Sequence, residues 1–201
     1  MPEPVPTKEP LIPPMTLALG LLLGLGCAVL PLIPEPYRMF NFAAFGAVGL
    51  FVAGRMGLIP GLILALGSKL LSDVLNYTAH DYQDDYLPMA SIIAGLAIYP
   101  VIGYVLVRRT QNPLRIAGGA IAASASFFLF TNFASWLGQA MPYPYTVAGL
   151  LECYKQGLPF YRGTFFGDLI CTGSLFAAHA LLARYCFPAE STATAHVEND
   201  P

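Results

Sequence analysis

The sequence has few charged residues and a single tryptophan. Only 11% of its 201 residues are Asp, Glu, Lys or Arg, whereas 56% are hydrophobic, and soluble domains are typically about 45–50% apolar. This composition indicates a protein that folds in lipid rather than in water. The net charge of −2 and the dispersed basic residues give no electrostatic reason to expect nucleic-acid binding.

The sequence also lacks the motifs of a metal site and of an enzyme. Its four cysteines and three histidines form no CxxC pair and no His/Glu cluster, so we expect no metal and no cofactor. The cysteines are typical of small, polarizable packing residues. Because the sequence contains neither a nucleophile beside a base nor a phosphate-binding loop, we expect a protein that is not an enzyme.

Six apolar segments predict an all-α transmembrane bundle. They cover residues 15–33, 41–56, 58–76, 87–107, 114–137 and 164–187. The six-helix domain therefore spans 15–187, and we expect disordered tails at 1–14, which is rich in proline, and at 188–201. Pro100 should kink the fourth segment, and residues 146–160 suit a separate short helix at the membrane interface.

The basic residues predict an orientation with both termini in the cytoplasm. If the termini share one side of the membrane, six basic residues fall on that side and three on the other, with Lys69 left out of the count. Cytoplasmic loops collect Lys and Arg. The loop of residues 77–86 contains three aspartates and no Lys or Arg, which is typical of the outer side.

In this topology, polar residues from four apolar segments reach the outer third of the membrane. They are Asn41, Asp73, Asn132 with Trp136, and Asp168. Helical spacing places Asn132, Ser135 and Trp136 on one stripe. Burying an ionisable group inside a membrane costs free energy unless an opposite charge pairs with it or it faces a water-filled cavity. Both aspartates are therefore candidates for a binding site. The pattern predicts an outward-facing cavity.

Each of these residues also has a structural interpretation. Lys69 lies four residues before Asp73 and is placed to neutralise it along one helix face. Asp168, near the start of the sixth segment, is within reach of a helix dipole and of Arg162. Trp136 is also typical of the aromatic belts at membrane interfaces. The sequence leaves both interpretations open for each residue.

Small residues recur every four positions in the first segment, at Gly20 and Gly24. Faces of this kind let helices approach closely in lipid. The contact is either internal packing or an interface with a partner subunit.

Four blocks of the sequence resemble an uncharacterised family of small bacterial membrane proteins. The blocks are Asn41-Phe42 before a glycine-rich helix, Leu71-Ser72-Asp73, Thr131-Asn132-Phe133 with Trp136, and residues 143–170. The resemblance covers residues 15–185. Members of that family are similar to the substrate-binding S components of energy-coupling factor (ECF) transporters.

This resemblance implies a six-helix bundle in the bacterial cytoplasmic membrane that binds a vitamin or similar micronutrient near the outer face. It implies docking on a transmembrane coupling subunit that is driven by two ABC-type ATPases. By position in the matched blocks, the substrate-binding candidates are Asn41, Asp73, Asn132, Trp136, Tyr154, Arg162 and Asp168. S components commonly use an Ala-x-x-x-Ala face in their first helix for coupling, and Gly20-x-x-x-Gly24 is the nearest equivalent here.

A competing hypothesis belongs to a different class. The chain would be a membrane scaffold that transports nothing, with small-residue faces that recruit other subunits and a polar cluster that only locks the bundle. Intramembrane catalysis remains a third alternative.

Overall fold

A computed structural model describes residues 13–29, 32, 44–80 and 86–186 of the chain. These residues form seven helices and no strand, so the predicted all-helical fold is confirmed. The helices are α1 (Pro13–Val29), α2 (Phe45–Met56), α3 (Leu58–His80), α4 (Tyr86–Leu96), α5 (Ile98–Leu106), α6 (Pro113–Leu137) and α7 (Val147–Cys186). The predicted tails lie outside the described residues, apart from the first two residues of α1.

Four apolar stretches of the described chain are long enough to cross a membrane. They are Leu58–Thr78, Met89–Leu106, Pro113–Leu137 and Val147–Tyr185. The helices α1 and α2 are apolar but shorter. The structure therefore has the helix lengths of a membrane protein with four candidate spans, and the predicted six spans and their orientation stay predictions.

The short helix α2 forms the centre of the bundle. Ten of its 12 residues, Phe45 to Gly54, are buried, and α1, α3, α5 and α7 surround it. A helix that is apolar all round is expected to be enclosed by other helices. At a rise of about 1.5 Å per residue it spans about 18 Å, well short of a hydrocarbon core of about 30 Å. The part of the second apolar segment that forms α2 is thus enclosed within the protein.

Glycines let the neighbouring helices approach α2. A Cβ added to Gly103 of α5 would lie 2.3 Å from the backbone oxygen of Leu50. A Cβ added to Gly61 of α3 would lie 2.8 Å from the backbone oxygen of Gly49. Because no side chain fits between these backbones, glycine is needed at both contacts.

The glycine face of α1 points into the bundle. A Cβ added to Gly20 would lie 2.7 Å from Val52 of α2, and one added to Gly24 would lie 2.4 Å from the Ser68 hydroxyl of α3. Gly20 and Gly24 therefore serve internal packing, the alternative that the small-residue pattern left open. Their inward placement gives no support to the predicted contact with a partner subunit.

The fourth predicted segment is divided into two helices near Pro100. The helix α4 ends at Leu96, and α5 begins at Ile98. Because Pro100 has no N–H to donate to the carbonyl of Leu96, the helical ladder is interrupted at this point. This break, at Ala97, lies one turn before Pro100, where the sequence predicts a kink.

The helix α7 is longer than the sequence indicated. It runs without a break over 40 residues and contains Pro159. The prediction of a separate interfacial helix at 146–160 is therefore wrong, because this segment is the first part of α7. A proline removes one backbone hydrogen bond from a helix, and helices in membrane proteins tolerate this loss when neighbouring groups replace it.

Candidate functional site

A cavity of about 350 Å³ lies among six helices of the bundle. Its volume falls within the range of about 300–1,000 Å³ that is usual for small-molecule sites. The wall combines residues of α2 (Phe45, Gly46), α3 (Lys69), α4 (Ser91, Ile92, Leu96), α5 (Tyr99), α6 (Phe127, Thr131, Asn132, Ser135) and α7 (Thr164, Asp168). Two predicted site residues, Asn132 and Asp168, meet there.

The polar part of α6 forms one wall of this cavity. The Thr131 hydroxyl donates to the carbonyl of Phe127 at 2.9 Å, and Nδ2 of Asn132 donates to the carbonyl of Phe128 at 2.9 Å. These local bonds satisfy donors within the helix and fix both side chains. The helix α7 passes close to this wall, since a Cβ added to Gly157 would lie 2.4 Å from Oδ1 of Asn132.

Asp168 and Tyr99 form a buried hydrogen-bonded pair in another part of the wall. Asp168 is 2% exposed and Tyr99 is 1% exposed, and the Tyr99 hydroxyl donates to Oδ2 of Asp168 at 2.5 Å. The Tyr99 ring fits here because residue 46 is glycine, where an added Cβ would lie 2.5 Å from the ring. Three helices, α2, α5 and α7, therefore cooperate to place this carboxyl group.

The helix dipole does not account for Asp168. Because α7 begins at Val147, Asp168 lies in the middle of the helix, and the dipole acts mainly within the first turn. Arg162 is exposed whereas Asp168 is buried, and no ion pair joins them among the described residues. Both structural interpretations that the sequence offered for Asp168 are therefore wrong.

Lys69 and Asp73 form an ion pair along α3. The Lys69 ammonium contacts Oδ1 of Asp73, and each side chain is 15% exposed. The other carboxylate oxygen, Oδ2 of Asp73, is buried without a hydrogen-bond partner. Lys69 lines the cavity, whereas Asp73 is not among the residues of the cavity wall. The neutralising pair that the spacing indicated is therefore formed.

Trp136 lies outside the cavity wall. Its ring Nε1 donates to the carbonyl of Pro144 at 3.0 Å, and its ring contacts Phe133 and Tyr145 with centroids 5.8 and 5.6 Å apart. These contacts fasten the connection between α6 and α7. In this arrangement Trp136 contacts the loop, and its predicted role in ligand binding stays a prediction.

Tyr154 and Arg162 also lie outside the wall. The Tyr154 hydroxyl donates to the carbonyl of Leu129 at 3.0 Å, and its ring is 5.8 Å from that of Phe128, so it joins α7 to α6. Arg162 is exposed on α7. Asn41 falls outside the described residues. The binding roles assigned to these residues stay predictions.

Several wall residues were not singled out from the sequence. The sequence indicates Lys69 only as a partner of Asp73, and it gives no comparable indication for Tyr99, Ser91 and Thr164, which also line the cavity. The available signal was a hydroxyl group within an apolar segment, which Tyr99 provides just before Pro100. That signal is weak because tyrosines at membrane depth are common.

A model of a family of unknown function, DUF6580, matches residues 12–191 of the chain. The chain belongs to this family. The match covers all seven helices, so the cavity lies within the region that defines DUF6580. No curated protein and no solved structure matches the chain.

Proposed function

We propose that this DUF6580 protein is a membrane substrate-binding subunit that captures a vitamin or similar small micronutrient in the cavity, near the outer face, as an S component does. The observation that carries the proposal is the cavity itself, a space of about 350 Å³ with polar groups from α3, α6 and α7 in its wall.

A polar cluster that merely locked the helices together would not need this space. Protein interiors are close-packed, and each void removes packing contacts from the residues around it. Here Lys69, Asn132 and Asp168 surround a volume large enough for a small organic molecule. An opening between polar groups is what a binding site requires, and it favours capture over the scaffold hypothesis.

The rest of the wall has the composition of a ligand site. Phe45, Ile92, Leu96 and Phe127 provide apolar and aromatic surface. Small-molecule sites are mostly apolar, with a few polar groups that set the orientation of the ligand. The flat rings favour a ligand that contains a ring of its own.

Energy for uptake would come from other subunits. Since the sequence contains no phosphate-binding loop, a coupling subunit with two ABC-type ATPases would drive transport, or the protein would act as a facilitator. The coupling surface would not use Gly20 and Gly24, because both face α2 and α3.

The test is mass spectrometry of small molecules that remain bound after gentle purification in detergent. Ser135→Phe places a ring in the cavity and should abolish retention, and Asn132→Ala should reduce it. Asn76→Ala is the matched control, since Asn76 of α3 does not line the cavity and its replacement should leave retention unchanged.

The opposite results would reject capture. A wild-type protein that carries no small molecule, or a Ser135→Phe variant that folds and carries the same amount as the wild type, contradicts the proposal. In either case the scaffold hypothesis becomes the better account of the polar cluster.

A further inference from the structure

We propose that the cavity selects a small organic cation with a flat ring, and that Asp168 is the counter-ion of its charged nitrogen. This inference rests on the proposed function and specifies the chemical class of the ligand. Three features of the wall support it: its balance of charges, the burial of Asp168 and the arrangement of its rings.

The described wall has one acidic group in excess. Lys69 is the one Lys, Arg or His side chain that lines the cavity in the described part of the chain, and Asp73 already neutralises it. Asp168 is the remaining ionisable acid of the wall. The groups beside it, the Tyr99 and Ser124 hydroxyls, are neutral. A positively charged ligand would complete the balance.

Burial strengthens this preference. A carboxylate inside a membrane bundle is costly unless a cation or several donors compensate its charge. Asp168 is 2% exposed, and the hydroxyl groups beside its carboxyl group, those of Tyr99 and Ser124, are both neutral. A ligand ammonium or protonated ring nitrogen beside Asp168 would form a charge-assisted hydrogen bond, which is stronger than a neutral one.

An anionic ligand would meet two obstacles. It would bring a second negative charge toward Asp168, and it would have to draw Lys69 away from Asp73. Because Oδ2 of Asp73 is already buried without a partner, losing Lys69 would leave both of its carboxylate oxygens uncompensated. The ion pair on α3 therefore disfavours carboxylate and phosphate ligands.

The aromatic rings supply the remaining recognition. Phe45, Tyr99 and Phe127 line the cavity, and the Tyr99 and Phe127 rings lie 5.8 Å apart at an angle of 58°. The faces of aromatic rings attract cations and pack against other flat rings. A ring that carries a basic nitrogen matches both features.

Three probes of similar size and different charge test this inference. They are 2-phenylethylamine, 2-phenylethanol and phenylacetate, and an apparent Kd for each comes from the rise in unfolding temperature with probe concentration in detergent. The wild type should bind the amine at least about tenfold more tightly than the alcohol, and phenylacetate most weakly. In Asp168→Asn, which keeps the shape and an acceptor for Tyr99, the amine and alcohol should bind within about twofold of each other.

Two further variants separate charge from folding. Glu152→Gln changes an exposed acid on the same helix and should keep the wild-type preference. Tyr104→Phe changes a residue of α5 that does not line the cavity and should also keep the wild-type preference for the amine. If Asp168→Asn fails to fold, the order of the apparent Kd values of the three probes for the wild type still tests the preference for a cation.

The results distinguish this inference from the proposed function. Equal binding of the three probes by the wild type, or tighter binding of phenylacetate, overturns the inference. A neutral or anionic molecule retained by the purified protein also overturns it but leaves capture intact. If no molecule is retained and no probe binds, both the preference for a cation and the proposed capture function are contradicted.

Discussion

Tyr99 of α5 donates a hydrogen bond to the buried carboxyl group of Asp168 on α7, with 2.5 Å between the two oxygens. The pair joins two helices that are distant in the sequence and lies at the edge of the cavity. It therefore contributes both to the stability of the bundle and to the character of the candidate site.

Replacing Tyr99 with phenylalanine should destabilise the protein by about 1–3 kcal/mol, because it leaves the Asp168 carboxyl group buried without its donor. Unfolding in detergent micelles by heat or denaturant measures this loss. Tyr104→Phe on the same helix is the control, since its hydroxyl contacts the exposed Arg108, and the change should be within about 0.5 kcal/mol. Equal losses in the two variants would show that the buried bond is unimportant.

The Lys69–Asp73 pair should show energetic coupling. Lys69→Met leaves a half-buried carboxylate without its cation and should cost about 1–3 kcal/mol, and Asp73→Leu should cost a similar amount. The double variant should recover part of the loss, which gives a coupling energy of about 0.5–3 kcal/mol in a double-mutant cycle.

An exposed pair on α7 is the comparison for this cycle. Glu152 and Lys155 lie 3.5 Å apart, with side chains 42% and 73% exposed. Exposed pairs contribute little to stability because water screens them, so this second cycle should show a smaller coupling. If the two cycles agree in size, the pair on α3 is no more than a surface contact.

Gly103→Ala should destabilise the bundle by at least about 1–3 kcal/mol, because the added Cβ overlaps the backbone of α2. At the position of that Cβ, the Leu50 carbonyl oxygen would be 2.3 Å away. Gly67→Ala is the control, because a Cβ there would meet no atom within 4 Å and alanine stabilises a helix by about 0.5–1 kcal/mol relative to glycine. Thermal unfolding of the two variants should therefore shift in opposite directions.

Trp136→Phe should loosen the connection between α6 and α7, because it removes the hydrogen bond to Pro144. Limited proteolysis should cut residues 138–146 faster in this variant than in the wild type. Ligand retention should not change, since Trp136 does not line the cavity. A marked loss of retained ligand would instead restore Trp136 to the binding site. Tyr185→Phe, at the far end of α7, is the control and should affect neither measurement.

The helical class follows from residues that act locally. Long apolar runs with few charges predict helices that pack in lipid, because backbone groups there must bond within their own segment. Pro100 predicts the break between α4 and α5 because a missing N–H has the same effect in any fold. The spacing of Lys69 and Asp73 predicts their pairing for a similar reason, since residues four apart are neighbours on every α-helix.

The candidate site depends on contacts that no local pattern contains. Asn132 and Trp136 share one stripe of α6, yet Asn132 faces the cavity while Trp136 turns to Pro144. Only the position of α7 separates these roles. Likewise, Asp168 accepts a hydrogen bond from Tyr99, a residue 69 positions earlier in the sequence. This pairing requires the close approach of Gly46 to the tyrosine ring.

The sequence by itself determined that the chain is apolar and helical, with a helix that is interrupted near Pro100, because hydropathy and backbone chemistry act over a few residues. Only the tertiary structure decided that α2 is enclosed, that Gly20 and Gly24 face inward, and that Lys69, Asn132 and Asp168 surround one cavity. These outcomes depend on which helix faces meet. Close packing selects among the possible pairings, and that selection involves the whole bundle at once.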